Sequence, residues 1–293
     1  MKVPTVLQTP PAAQIGLLAV ALVCSSVSSS GTALDFVKAY NIRRIGSPGL
    51  RRLELQLKSG SQVTRRYAVA HLWRGSAADM RSLVFLEEPT ELRGTSYLWI
   101  EGASVTGGLQ VFLRLPAGQR RVLELVPGRF DQGLLGSDFA YSDLLWQIPT
   151  LNRTLRDAGP ATLDGAPVRC VDGEPVAAAH AVPTLWPRIR YYMSADGRAL
   201  HGADYFDRSG ADAGARPAKR LRAFGWTDHG GILVPSRMVM TLEGNRSSEL
   251  TLKSLQLDLP DVDAALFRPE ALGRLADEFE RGVPRDVFRR GQP

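Results

Sequence analysis

The chain has 293 residues, and 36 basic against 30 acidic side chains give it a net charge of +6 at neutral pH. The basic residues are scattered in short pairs such as Arg65–Arg66 and Arg120–Arg121. A nucleic-acid binder would concentrate this charge in one patch, so no nucleic-acid partner is expected and anionic lipid headgroups are the better match. The cysteines, Cys24 and Cys170, are too few for a disulfide-rich scaffold.

The first residues predict export from the cytoplasm. Residues 15–27 read IGLLAVALVCSSV, an apolar run shorter than the about 20 residues that a membrane-spanning helix needs. Small residues follow, with Gly31 and Ala33 at the spacing of a signal-peptidase site. We therefore predict a signal peptide over residues 1–33 and a periplasmic mature protein. Lipid attachment at Cys24 is the alternative, but Val23 is a poor fit to the small residue that lipoprotein signals place before the cysteine.

The mature chain is rich in predicted β-strands. Leu53, Leu55 and Leu57 alternate with charged or polar neighbours, which is the period of a half-buried strand. Similar stretches recur, separated by turn signals that contain Gly and Pro, and they predict an antiparallel sheet that curls into a sandwich or barrel. The predicted strands cover residues 52–58, 62–73, 83–86, 95–100, 109–115, 121–126, 162–163, 168–171, 188–193, 199–206, 218–226, 232–234, 237–242 and 249–259.

Few helices are predicted, and they do not alternate with the strands. Residues 35–45 and 269–281 each carry an apolar stripe at helical spacing, and a short helix is predicted to end at Trp146. Residues 282–293 form a polar tail with Pro and Gly. The absence of strand–helix–strand alternation disfavours a doubly wound or (β/α)₈ fold.

Known catalytic and metal-binding patterns are missing from the sequence. The four histidines lie far apart, and no H-E-x-x-H, paired-cysteine, G-x-S-x-G or P-loop motif occurs. Cys170 stands in an apolar stretch, where it reads as a small buried hydrophobe. We therefore predict no metal, no cofactor and no catalytic residue.

Residues 133–146, GLLGSDFAYSDLLW, place Asp138 and Asp143 in an apolar run. The two acids could be a catalytic pair of carboxylates, since glycosidase pairs usually come from separate elements. They could also belong to a structural corner, because glycines permit tight turns and Ser or Asp side chains accept hydrogen bonds from free N–H groups. We favour the corner and assign to it a structural motif: Gly94, Gly136, Ser137, Asp138, Phe139, Tyr141 and Asp143.

The same stretch carries a family resemblance. GSDFAYSDL over residues 136–144 resembles the G-S-D-F-S-Y-x-D-L signature of bacterial outer-membrane lipoprotein-sorting proteins, which are relatives of the LolA-type periplasmic carrier. VFLEEPTELRGTSYL over residues 84–98 is similar to the family's F-x-x-P-x-x-x-K-G-T-x-x-L, with Arg93 in place of the lysine. VFLRLP over residues 111–116, RRV over 120–122, LP over 259–260 and ALF over 265–267 extend the likeness across most of residues 50–270.

The resemblance implies a mainly β protein over residues 34–281: a single curved antiparallel sheet forming an unclosed half β-barrel of the LolA/LolB type, with a few covering helices. The concave face of such a sheet holds lipid acyl chains. Relatives often accompany inner-membrane transporters of the resistance-nodulation-division (RND) type that move lipids. No catalysis is implied.

Apolar stripes on three predicted strands are compatible with such a cavity. Methionine suits a surface that must fit several chain shapes. The alternative is that these stripes are the solid core of a β domain, and periodicity alone favours that alternative. With the resemblance included, we predict these cavity residues: Tyr97, Trp99, Val111, Leu113, Leu115, Met238, Met240 and Leu242.

The expected function is a periplasmic carrier or chaperone that binds a lipid or a lipidated protein for transfer toward the outer membrane. An RND-type transporter is the expected membrane partner. One alternative is a structural subunit of an envelope transport complex with a filled core. A secreted hydrolase that uses Asp138 and Asp143 is the other.

Overall fold

The structure is a computed structural model that describes residues 32–76, 79–102, 109–116, 121–146, 148, 153–175, 186–207, 216–242, 244–260 and 262–280. Helices α1 and α2 span Ala33–Asn41 and Pro269–Glu280. The strands are β1 (Gly49–Ser59), β2 (Gln62–Ser76), β3 (Asp79–Glu88), β4 (Ser96–Gly102), β5 (Leu109–Arg114), β6 (Val122–Glu124), β7 (Arg153–Leu163), β8 (Ala166–Pro175), β9 (Arg188–Met193), β10 (Leu200–Phe206), β11 (Lys219–Asp228), β12 (Leu233–Leu242) and β13 (Arg246–Gln256).

All thirteen strands belong to one antiparallel sheet, in the order β6-β5-β4-β3-β2-β1-β13-β12-β11-β10-β9-β8-β7. Two meanders, β1–β6 and β7–β13, therefore meet where the first strand pairs with the last. Among the described residues the sheet does not close, and β6 and β7 form its two edges. Pro160 lies in β7, where an edge strand tolerates a residue without a backbone N–H.

Period-two alternation gives the sheet two apolar faces. In β4, Tyr97 and Trp99 pack into the larger cluster of buried side chains, whereas Leu98 packs into the smaller one. The first face is covered by α1, through Phe36 and Val37, and by a connecting segment described below. The second face is covered by Leu272 and Leu275 of α2 and by Phe267 of the 3₁₀ turn that precedes it.

Helix α1 begins with a capping box. The Thr32 hydroxyl accepts a hydrogen bond from the Asp35 N–H, and the Asp35 carboxylate accepts one from the Thr32 N–H at 2.8 Å. The two bonds satisfy free donors at the helix start. Buried Phe36 and Val37 then hold the helix on the sheet.

The first face also carries what we call the cover segment, residues 125–146 and 148. It contains three short 3₁₀ turns, Pro127–Arg129, Leu134–Gly136 and Tyr141–Leu144. Along the chain it follows β6 and precedes β7, so it lies between strands that form opposite edges of the sheet. Its buried side chains Phe130, Leu134, Phe139 and Tyr141 belong to the cluster of the first face.

The prediction of a single unclosed antiparallel sheet with few helices is confirmed. Most strand bounds agree within a few residues, but residues 153–161 of β7, which include Gly159 and Pro160, were not predicted. The predicted short helix before Trp146 consists of 3₁₀ turns. The predicted signal peptide, apart from its last residues, and the predicted tail 282–293 lie outside the described residues.

Within the ranges given above, no helix combines the length and the hydrophobicity that a bilayer-spanning segment requires.

Candidate functional site

The candidate site is the first face of the sheet beneath the cover segment. Four predicted cavity residues are deeply buried there: Tyr97 and Trp99 on β4, Val111 on β5 and Met240 on β12. The half-buried Leu113 and Met238 pack against the same cluster. Six of the predicted residues thus share one apolar face, although β3, β2, β1 and β13 separate β4 from β12.

The other two predicted cavity residues have different surroundings. Leu115 follows the last residue of β5 and is 40% exposed. Leu242 is half-buried at the end of β12, directly opposite Lys219 of β11. These residues lie at the periphery of the face.

The face is continuous across the junction of the two meanders. Leu57 of β1 is opposite Ser248 of β13, which is opposite Met240 of β12. Met240 is in turn opposite Leu221, and Leu221 is opposite Ala203. Side chains that are directly opposite in a ladder point to the same face. One mostly apolar row therefore crosses five neighbouring strands.

The cover segment lies directly on the aromatic part of this face. The Tyr141 ring centroid is 5.8 Å from that of Tyr97 and 6.2 Å from that of Trp99. Burial raises the pKa of the Tyr97 hydroxyl well above its ordinary value, so this side chain stays neutral. The Trp99 Nε1–H is buried and has no hydrogen-bond partner among the described residues.

Asp138 fastens the cover segment to β13. One carboxylate oxygen accepts a hydrogen bond from the Ser248 hydroxyl at 2.8 Å, and the other accepts one from Arg246 at 3.2 Å. The Asp138 backbone N–H donates to the Ser248 hydroxyl at 2.9 Å. Both Asp138 and Ser248 are buried, so these bonds form away from water.

Asp143 fastens the same segment to β11. Its carboxylate accepts a hydrogen bond from the Ala140 N–H at 2.7 Å and forms an ion pair with Lys219. The side chains of Asp143 and Lys219 are each only 4% exposed. The Lys219 ammonium also lies 5.0 Å from the centroid of the Tyr205 ring. Burial raises the pKa of Tyr205, and the nearby Asp143 carboxylate raises it further.

The remaining motif residues shape the backbone. Gly94 and Gly136 have φ values of +87° and +77°, which are unfavourable for residues with a side chain. The Ser137 hydroxyl accepts a hydrogen bond from the Phe139 N–H at 3.2 Å, and Phe139 is buried. The expected hydrogen bonds to local turns occur at Ser137 and Asp143, whose side chains accept the Phe139 and Ala140 N–H groups. Asp138 and Asp143 in addition bind distant strands, which was not expected.

Sequence reasoning missed the partners of these aspartates, which are Lys219, Arg246 and Ser248. For Lys219 a signal was present, because it alternates with Leu221 and Ala223 on the apolar side of β11. A lysine at such a position predicts a buried carboxylate partner. The sequence contained no signal for which of its acids that partner is.

Comparison with solved structures defines the class of fold as the LolA-type unclosed half-barrel. A domain from Vibrio parahaemolyticus described as an outer membrane lipoprotein-sorting protein superposes with a TM-score of 0.70 at 16% identity, covering 83% of this chain and 98% of that one. A DUF1329 family protein from Desulfovibrio piger gives 0.69 at 17% identity, covering 82% and 97%. A LolA superfamily protein from Nitrosomonas europaea gives 0.59 at 15% identity, covering 82% and 98%.

A family model whose description reads "Uncharacterized protein" matches residues 78–274, and the chain belongs to that family. No curated protein matches the sequence.

Proposed function

We propose that the protein is a periplasmic carrier that reversibly binds the acyl chains of a lipid or a lipidated protein on the first face of the sheet. The observation that carries the proposal is the continuous apolar face that the cover segment overlies. Each buried methylene of an acyl chain contributes about 0.8 kcal/mol, so a long chain binds such a face without specific polar contacts. Transfer toward the outer membrane and coupling to an RND-type transporter are parts of the same proposal.

The cover segment is the means of access in this proposal. Asp138 and Asp143 anchor it to the sheet through polar contacts, and its apolar side chains pack against the first face. Displacing Tyr141 from Tyr97 and Trp99 would expose aromatic and aliphatic surface to an acyl chain. The Vibrio parahaemolyticus domain, described as a lipoprotein-sorting protein, supports this proposal by analogy of fold.

Lipid retention tests the proposal. The exported protein would be purified without detergent and weighed by native mass spectrometry, and extracted lipid would be identified. Met238→Gln places a polar group on the first face, and the matched Val239→Thr changes the next residue of β12, on the opposite face. Burying an unpaired amide costs about 1–3 kcal/mol, so retained lipid should fall about tenfold for Met238→Gln only.

The second candidate is a structural subunit of an envelope transport complex with a filled core. The burial of Tyr97, Trp99 and Val111, each at most 3% exposed, favours it. Such a protein would carry no lipid mass in the same experiment, and Met238→Gln would change only its stability.

The hydrolase alternative finds less support. The Asp138 and Asp143 carboxylates are both engaged, one by Ser248 and Arg246 and the other by Lys219. We therefore assign neither to catalysis and propose that both secure the cover segment.

A further inference from the structure

A cluster of basic and aromatic side chains lies on the first face beside Tyr97 and Trp99, which we call the aromatic wall of the proposed acyl-chain site. We call it the guanidinium–indole cluster, and it consists of Arg43, Arg51, His71, Trp73 and Trp146. The Arg51 guanidinium carbon lies 5.1 Å from the centroid of the Trp146 ring and 5.7 Å from that of Trp73. The two indole rings are 5.2 Å apart, and His71 is 5.4 Å from Trp73.

Within the part of the chain that the structure describes, no carboxylate neutralises the two cations of the cluster. Neither Arg43 nor Arg51 forms an ion pair with any acid among the described residues. Arg43 donates to the backbone carbonyls of Tyr40 and Trp146. Arg51 uses its Nε–H to donate to His71 Nδ1 at 3.0 Å, and no other hydrogen bond of its guanidinium group occurs within the described ranges. Its two terminal nitrogens therefore remain available to a ligand.

The histidine adds a second open donor. Because Nδ1 accepts the bond from Arg51, Nε2 carries the proton of the neutral ring. His71 is 95% buried, since its exposure is only 5%, and its Nε2 has no hydrogen-bond partner among the described residues. A buried donor without a partner is rare in folded proteins and calls for an explanation. Here the unpaired His71 donor lies beside Arg51, whose guanidinium group also has N–H donors without a partner among the described residues.

Strand register places this cluster against the proposed acyl-chain site. Arg51 is opposite His71, His71 is opposite Val84, and Val84 is opposite Tyr97. In the next row, Trp73 is opposite Ser82, which is opposite Trp99. The positive group and the aromatic wall therefore occupy the same rows of the same face. The indole of Trp73 reaches this position over Gly49, where an added Cβ would lie 2.1 Å from the ring.

We propose that the guanidinium–indole cluster binds the anionic headgroup, a phosphate or a carboxylate, of an amphiphile whose chains lie on the adjoining apolar face. Arg51 supplies paired N–H donors that match the oxygens of such a group, and the His71 Nε2–H supplies a further donor. The indoles hold the guanidinium in place without neutralising it. This assignment rests on the proposed carrier function and names the class of its ligand.

A ratio of bound lipids tests the assignment. The protein would be incubated with phosphatidylcholine vesicles that contain equal amounts of dioleoyl phosphatidic acid and dioleoylglycerol, then separated from the vesicles. These two lipids have the same chains and differ only in the phosphate. Charged hydrogen bonds contribute about 1.5–3 kcal/mol, so phosphatidic acid should be recovered about tenfold or more over dioleoylglycerol.

Variants show which residues create the preference. Arg51→Gln should bring the ratio close to equality, and Arg51→Lys, which keeps the charge but loses the fork, should give an intermediate ratio. Arg220→Gln is the matched control, because Arg220 is an exposed strand arginine without an ion pair among the described residues, and it should keep the wild-type ratio. A ratio does not depend on how much of a variant folds, so partial unfolding cannot imitate the effect.

The outcomes separate the two proposals. Equal recovery of both lipids by the wild-type protein, or an unchanged ratio in Arg51→Gln, would overturn the headgroup site while leaving the carrier function intact. Recovery of no lipid of any kind, phosphatidylcholine included, would overturn both. Calorimetric titration with inorganic phosphate identifies the source of the anion: binding as tight as that of phosphatidic acid would overturn the assignment to an amphiphile, whereas binding much weaker than that would support it.

Discussion

The ion pair between Asp143 and Lys219 joins two side chains that are each almost fully buried. Taking charges out of water is unfavourable, and only their attraction and hydrogen bonds offset this. The pair therefore gives the folded protein little net stability over two apolar side chains. Removing one partner is strongly destabilising, because the other charge is then buried without a counter-charge. Its role is to define where the cover segment meets β11.

Asp143→Asn should lower the free energy of unfolding by about 3–5 kcal/mol, because Lys219 is left buried without its counter-charge. The double variant Asp143→Leu with Lys219→Met should recover most of that loss. Urea denaturation measures both. Asp258→Asn is the control, since it breaks an exposed pair with Arg44 and should change stability by at most about 1 kcal/mol. A double variant as unstable as Asp143→Asn would refute the explanation.

His71 predicts a dependence of stability on pH. Burial lowers the pKa of His71 well below its ordinary value of 6.5, and the charge of Arg51 lowers it further. As the pH falls through 6.5 the unfolded chain binds a proton that the folded chain does not, so the folded state loses stability. His71→Gln should therefore lose less stability than the wild type between about pH 7.5 and about pH 5.5.

Thermal unfolding at the two pH values measures this difference. The control is Val63→Ala at an exposed position of β2, which changes no titratable group and should lose as much stability as the wild type. Identical losses in the His71 variant and the wild type would contradict the prediction.

The cover segment depends on one close approach of its own backbone. Gly133 pairs with Ala140 in an isolated bridge, and a Cβ at residue 133 would lie 1.9 Å from the Ser137 carbonyl oxygen. The contact is with backbone, so it cannot be relieved by turning a side chain. The turn that carries Asp138 would have to shift.

Gly133→Ala should therefore destabilise the cover segment by about 1–3 kcal/mol, as overpacking does elsewhere. Gly128→Ala in the same segment is the control, because an added Cβ there meets no atom of the described residues within 4 Å. Hydrogen exchange would show faster exchange in residues 130–146 for Gly133→Ala only. Equal exchange in the two variants would show that the turn tolerates the added methyl group.

Strands and cover segment differ in how well the sequence predicted them. Most strands were located because period-two alternation is a local signal, as in Leu53 and Leu55 of β1. The pairing of β1 with β13 was not predictable, since no local signal connects elements so far apart in the chain. In the cover segment the motif was recognised, but the partners Lys219 and Ser248 lie on other strands. The cluster around Arg51 was missed for the same reason.

At the scale of the whole molecule, the junction of β1 and β13 joins two meanders into one sheet. Leu55 and Leu250 are directly opposite there, and they are 1% and 7% exposed. If the meanders unfold as one unit, a change at this junction must affect both of them equally. If they are separate units, only the strands nearest the change should respond.

Leu55→Ala should lower the free energy of unfolding by about 2–5 kcal/mol, the usual loss for a buried leucine. Hydrogen exchange under mild denaturant should accelerate equally in β2–β5 and in β8–β12. Val63→Ala, at a position 38% exposed, is the control and should change stability by at most about 0.5 kcal/mol. Acceleration confined to one meander would show that the two halves unfold separately.

The chain leaves the sheet at β6 and re-enters it at β7, on the opposite border. The crossing that links them is thus a covalent tether of fixed contour length, pinned midway by Asp138 and Asp143. The length of this tether sets an upper limit on how far the edge strands β6 and β7 can move apart. A single proteolytic cut in the crossing would remove that limit without altering any side chain. If the proposed carrier function holds, a nicked protein should therefore bind bulkier lipids than an intact one.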